Sequence, residues 1–306
     1  MILVDTPRWP AHGTVYGHLV SDASLWELHD FALTLGLDPR GFDHDHYDLA
    51  VDRWEPALAQ GAILLDERDL VLRLRTGGLR VLPADHAPRR RRARARVSTV
   101  AEELLAGWGA GPHLVTAAVD ALVEAHTEPA RRYHDLRHVD EMLRHLETLA
   151  QADGLKTAPV AERLAAIFHD VVYKGREGED ERASARWAVE TLGAVGAPAD
   201  LVREVEGLVL LTVDHRPAPG DAAGARVSDA DMAILASVPG RYHVSVRDIR
   251  LEYAHVSPQD WRSGRGHVLD TFLAQDRIFH TEHGHGVWEE RARGNLASER
   301  AHPGWP

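Results

Sequence analysis

The stretch "RHVDEMLRHLETL", residues 137 to 149, sets Val139, Met142, Leu146 and Leu149 at steps of three and four residues, the spacing of one apolar helix face. His138 precedes Val139 and lies four residues before Met142, so it shares the side that meets a core. Downstream, "REVEGLVLLTV" and "RDIRLEYAHV" continue the helical theme, and "SPQDW" offers Ser257 as an N-cap with Pro258 at the first helical position. Thr99 with Glu102 forms a capping-box pattern, which predicts a helix start there. Residues 99–306 are therefore expected to form an all-α domain.

Upstream of that domain, "ADHAPRRRRARAR" (84 to 96) carries two prolines' worth of interruption together with its neighbour Pro83 and six arginines, and reads as a solvated linker over 83–98. Before it, over 1–82, the signals alternate. "ILV" (2 to 4) and "AILL" (62 to 65) read as buried strands, while "DASLWELHDFALTLG" places Leu25, Leu28, Ala32 and Leu35 at helical spacing and stops at Gly36. The expected architecture is thus two domains, a small N-terminal α/β domain followed by an all-α helical bundle. Asp5 and Asp66 each follow a predicted strand; on a parallel sheet both would sit at its carboxyl edge, and with Asp48 they make a candidate carboxylate cluster.

Composition narrows the chemistry. With no cysteine among 306 residues there is no disulfide framework, no thiolate metal site and no cysteine nucleophile, so any metal must be held by His, Asp and Glu. The chain has 20 histidines, far above ordinary usage. A net charge of −12 disfavours indiscriminate nucleic-acid binding, and an anionic substrate would need local positive charge from a metal or a few arginines. No apolar stretch approaches the ~20 residues of a membrane span, and "MILVDTPRWP" lacks a basic region ahead of its apolar run, so a cytoplasmic protein without membrane contact is expected. Walker-type, Gly-x-Ser-x-Gly and His-Glu-x-x-His patterns do not occur, which removes support for ATPase, serine hydrolase and zincin readings.

Ligand-type residues punctuate the helical part. In "AAIFHDVVYKG" (165 to 175), His169 and Asp170 interrupt two apolar runs, and "SDADMAIL" sets Asp229 and Asp231 at the start of another. Adjacent residues on a helix point about 100° apart, so the doublet cannot share one stripe, yet long side chains at a helix junction can converge on an ion. Unpaired polar groups in such a setting are expensive, and a divalent cation removes the cost.

In chain order, "YHDLRHV", "FHDVVY", "EDERASA", "TVDH", "DADMAIL", "IRLEY" and "ARGNLASE" resemble a bacterial branch of the HD superfamily of metal-dependent phosphohydrolases over roughly residues 100 to 300. The likeness implies that His138, His169, Asp170 and either Asp231 or Asp229 ligate a divalent ion, the two histidines standing 31 positions apart. It also implies His134 and His215 as candidates for a second metal, and Glu181, of the acidic pair Asp180–Glu181, as the group that orients or deprotonates the attacking water. Two imidazoles and two carboxylates suit Mn, Fe, Co, Ni or Zn, with Mg as a harder alternative. The implied substrate is a small phosphate ester, a nucleotide foremost, with Lys174 beside the chemistry and Arg250, Arg265 and His215 as its contacts. The alternative is a module that binds a metal and a nucleotide without turnover, while the N-terminal domain contacts a partner or, guided by the arginines, nucleic acid. His280, His283 and His285 are interleaved with glycine and read as a surface loop. Within the N-terminal domain, "GHLVSD" and "HDHYDL" resemble an uncharacterised bacterial domain family.

Overall fold

The computed structural model describes residues 1–38, 41–43, 45–80, 86–176 and 178–302. The N-terminal part is a six-stranded mixed sheet with three helices. Its strands are β1 (Ile2–Val4), β2 (Trp9–Ala11), β3 (Thr14–Ser21), β4 (Phe42–Asp43), β5 (His46–Ala50) and β6 (Ile63–Leu64). The order is β4-β5-β3-β1-β6, with β2 added to β3. Only β1 and β6 pair in parallel, Leu3 opposite Ile63; the remaining pairs are antiparallel. Helix α1 (Leu25–Thr34) starts at Ser24, whose hydroxyl accepts from the Trp26 amide, and ends ahead of Gly36 in the left-handed region. Helices α2 (Val51–Ala59) and α3 (Glu67–Thr76) complete the domain. Leu3, Val4, Leu19, Leu28, Leu49 and Leu74 make its core, which puts the alternate positions of β3 and β5 on the opposite face.

From His86 the structure is helical: α4 (His86–Leu105), α5 (Pro112–His126), α6 (Leu136–Ala152), α7 (Val160–Phe168), α8 (Glu179–Ala194), α9 (Ala199–Leu211), α10 (Ala222–Met232), α11 (Pro239–Glu252), α12 (Pro258–Leu273) and α13 (Glu282–Ala301). The arginine-rich segment read as a solvated linker is the first half of α4. Residues 83–85 of that segment lie outside the described residues. Ala93, Val97 and Ala101, four residues apart, are buried against the bundle, and Arg90 and Arg96 pair with Asp135 and Asp140. One small apolar residue per turn is enough to seat a helix while its arginines face solvent. Thr99 is accordingly in mid-helix, its hydroxyl donating to the Ala95 carbonyl rather than capping a start. The Ser257 cap is present, accepting from the Asp260 amide. Val139, Met142, Leu146 and Leu149 are buried together as their spacing requires. No helix among the described residues is long and apolar enough to cross a membrane.

The sheet domain is fused to the bundle along α11. Trp26 of α1 is buried with Tyr242, Val246 and Phe279. The Gly240 amide donates to the Gly78 carbonyl at 3.2 Å, and a Cβ on Gly240 would lie 2.9 Å from that oxygen, so only glycine permits this approach.

Candidate metal centre

Three separate pieces of chain deliver four ligand-type side chains to one point. His138 comes from the first turn of α6, which starts at Asp135, the carboxylate accepting from the Arg137 amide. His169 and Asp170 follow the last turn of α7, and Asp231 closes α10. The two imidazole Nε2 atoms face each other at 3.1 Å. His138 Nε2 is 3.0 Å from an Asp231 oxygen, and His169 Nε2 is 3.1 Å from an Asp170 oxygen; the two cross distances are both 3.7 Å. Donors at bonds of about 2.1 Å around one ion stand about 3.0–3.5 Å from each other, so these separations match the edges of a coordination polyhedron. The tautomer agrees. His169 Nδ1 lies 3.0 Å from the Ala166 carbonyl, to which it donates, leaving Nε2 with a lone pair in the neutral ring. With His138 Nε2 only 3.1 Å away, that lone pair calls for a proton or an ion to face it. The residues therefore fit a divalent ion.

Electrostatics point the same way. Burial opposes charge on His169, Asp170 and Asp231, yet in the protein alone the attraction of their neighbours prevails. Asp170 and Asp231 push the His169 imidazole up to about 9, and the histidines in turn hold Asp170 well below the usual carboxylate range and Asp231 below it too. Cation-free, the cluster is satisfied only by taking up protons; an ion supplies the same positive charge. The C-terminal turns of α7 and α10 both end here, and the negative end of each helix dipole favours a cation further.

A buried scaffold fixes these ligands. The guanidinium of Arg131 donates to the carbonyls of His134, Asp170 and Val171, tying the loop before α6 to the doublet. Glu252, at the end of α11, accepts from the amides of Arg132, Tyr133 and His134 and from His134 Nδ1 at 2.7 Å. Asp180 accepts from the Lys174 and Arg176 amides, folding the segment after the doublet back over the cleft. Arg131 and Glu252 escaped the sequence reading because most of their partners are backbone groups, which leave no trace in side-chain spacing, and the one side-chain partner of Glu252 cited above, His134, lies 118 residues away.

The remaining candidates separate clearly. Asp229 and Asp231, two residues apart on α10, point to opposite sides. Asp229 is fully buried and accepts from the His280 and Thr281 amides and the Thr281 hydroxyl, so it holds the start of α13 and is not at the centre. His134 lines the cleft, stacked on Tyr173, but spends Nδ1 on Glu252, which outweighs burial and keeps its ring more basic than usual. His215 stands 3.6 Å from the second Asp231 oxygen in a left-handed conformation rare outside glycine, its Nδ1 buried without a hydrogen-bond partner. Burial lowers its pKa, so the ring is neutral. Glu181 reaches the cleft; its Oε2 is buried with no hydrogen-bond partner, and burial raises its pKa. Lys174 is exposed and outside the cleft lining, with its backbone alone engaged. Arg250 donates to the Tyr253 and Val256 carbonyls and lies over Trp261, so it shapes a turn and not a substrate site. Arg265 does line the cleft, braced by Glu299. Arg176, at the rim, was overlooked because an arginine is this chain's default cation. The histidine trio is not a surface loop. His280 is half-buried with Nε2 on the His215 carbonyl, and His283 and His285 belong to the first turn of α13.

The cleft has a volume of about 310 Å³ and is walled by Tyr133, Tyr173, Tyr242 and Tyr253. In the sheet domain, Asp66 is the N-cap of α3 and Asp5 is turned towards His18, so the expected carboxylate cluster does not form.

Residues 2–77 match the model of a family described as a protein of unknown function, DUF4031. No curated protein and no solved structure matches the chain.

Proposed function

We propose that the helical domain is a metal-dependent phosphohydrolase of the HD type, hydrolysing a nucleotide or a related small phosphate ester. The observation that carries this reading is the convergence of His138, His169, Asp170 and Asp231 at donor distances, the last three of them lining an open cleft. A divalent ion held by these four groups would lower the pKa of a water and polarise a phosphoryl oxygen. The side chains around it supply the rest. Glu181, made more basic by burial, takes the proton of the attacking water on Oε2. His134, kept more basic than usual by Glu252, and the guanidiniums of Arg265 and Arg176 draw the phosphate into the cleft. The tyrosine walls offer faces on which a base or another flat group stacks. His215, neutral and beside Asp231, either joins the ion or accepts a hydrogen bond from the substrate.

The test is metal content together with phosphatase and phosphodiesterase turnover across a nucleotide panel, for the wild type and Asp170→Ala. Metal-dependent product formation that disappears in the variant is expected; equal turnover in both would sink the reading. Tight nucleotide binding by the metal-loaded wild type without product would favour a binding module.

A further inference from the structure

The sheet domain carries a second constellation of ligand-type side chains, on the face of β3 and β5 opposite its core. His18 on β3 is paired in register with Asp48 on β5, and His46 lies two residues before Asp48, so all three side chains emerge on one face. One ligand atom from each lies within 4.8 Å of the others, and His46 Nε2 is 3.6 Å from an Asp48 oxygen.

What distinguishes this trio from surface polarity is the layer beneath it. His18 Nδ1 is 2.7 Å from a carboxylate oxygen of Asp5, which is fully buried. His46 Nδ1 is 2.9 Å from Asp45, also buried and held in turn by Arg80. Asp5 is locked in place by the His18 amide, and its carbonyl accepts from the Trp54 indole. It fits there because position 17 has no side chain: a Cβ on Gly17 would come 2.8 Å from the Asp5 carboxylate. Each imidazole therefore gives Nδ1–H to a buried carboxylate and turns Nε2 outward, the arrangement that orients metal-bound histidines and raises their basicity. Among the described residues, hydrogen bonding accounts for both Nδ1 atoms and leaves both Nε2 atoms without a hydrogen-bond partner.

We propose that His18, His46 and Asp48 bind a borderline divalent cation of the Zn²⁺ or Co²⁺ class, through both Nε2 atoms and one carboxylate oxygen. Two imidazoles and one carboxylate suit such ions, and the exposed face leaves the other coordination positions to water or an external anion. The site is independent of the helical cleft and does not rest on the phosphohydrolase reading.

The test uses the full chain, stripped with chelator and titrated with Co²⁺. In Asp170→Ala/Asp231→Ala, which lacks two of the helical donors, one equivalent is expected to remain. Adding His46→Ala removes it, and adding Asp48→Ala weakens it by at least about tenfold. Asp48 is largely exposed, so that change leaves folding intact, and thermal unfolding checks each variant. Should the helical double variant not fold, the wild type against Asp48→Ala gives the same answer, as one tight equivalent fewer in the variant whatever the helical centre binds. No bound Co²⁺ in the folded double variant, or unchanged affinity after Asp48→Ala, would overturn the proposal. Loss of Co²⁺ from the helical site alone bears only on the phosphohydrolase reading.

Discussion

The two histidine–aspartate constellations of this chain are built on opposite plans. In the helical domain, His138 and His169 are only 3% and 2% exposed, and their partners come from segments far apart in the chain. In the sheet domain, His18 and Asp48 are 27% and 62% exposed at the side chain, and two neighbouring strands supply the three outward-facing groups. The buried set places its charged groups against one another, so it needs a cation or protons to be stable at all. The sheet set is solvated and borrows its order from carboxylates beneath. Burial makes the first site compulsory for the fold and sensitive to charge; hydration makes the second dispensable to the fold and tunable by its supports.

The sharpest break in that comparison is at α10. Asp231→Asn should lose the metal of the helical domain and more than about 100-fold in turnover, since losing a ligand costs more than losing a ligand's support. Asp229→Asn, two residues away, should retain the metal and instead lower unfolding stability by about 2–3 kcal/mol, because it weakens buried hydrogen bonds at the start of α13. Metal analysis and urea unfolding of both variants separate ligand from brace.

Next in size is Glu181→Gln, expected to reduce kcat about 100-fold while leaving metal content unchanged, the signature of a lost proton acceptor. A parallel loss of metal would place Glu181 among the ligands instead.

Acid and alkali should act on different parts of the protein. Burial lowers His29 and His126 to about 3 and His243 to about 4. Their folded values lie below the unfolded one, so the unfolded chain binds more protons and stability falls as pH drops below about 6.5, by up to about 1.4 kcal/mol per unit for each histidine. His169 has the opposite sign. Raised to about 9, its contribution in the metal-free protein is complete below about 6.5 and is lost as pH rises through 9. Metal requires the bare ring, so loading should erase the alkaline limb and spare the acid one, as unfolding curves from pH 5 to 9.5 with and without Zn²⁺ would show. The smallest effect belongs to Lys174→Ala, whose turnover should stay within about twofold of the wild type because the side chain is exposed and outside the cleft lining.

Much of the helical centre was legible because its ligands interrupt apolar periodicity. His138 on the Val139–Met142 face, and a doublet breaking "LAAIF" from "VVY", are visible without coordinates. Choosing Asp231 over Asp229 required the rotation of α10 about its own axis, which spacing alone leaves free. The arginine segment misled because the eye follows charge: Ala93, Val97 and Ala101 carry the helix signal, and alanine is a weak one. The sheet constellation stayed hidden for a different reason. His18 and Asp48 meet through strand register, set by hydrogen bonds between segments and not by any pattern within one.

The backbone contact between Gly78 and Gly240 has a thermal consequence. It lies beside Tyr242 and Ser245 of α11, which wall the cleft, and beside the apolar seat of Trp26. Melting the sheet domain strips that seat of its cover and loosens a wall of the cleft in the same event. The expected outcome on heating is therefore that loss of the sheet domain loosens the helical centre with it, seen as coincident melting of the two domains.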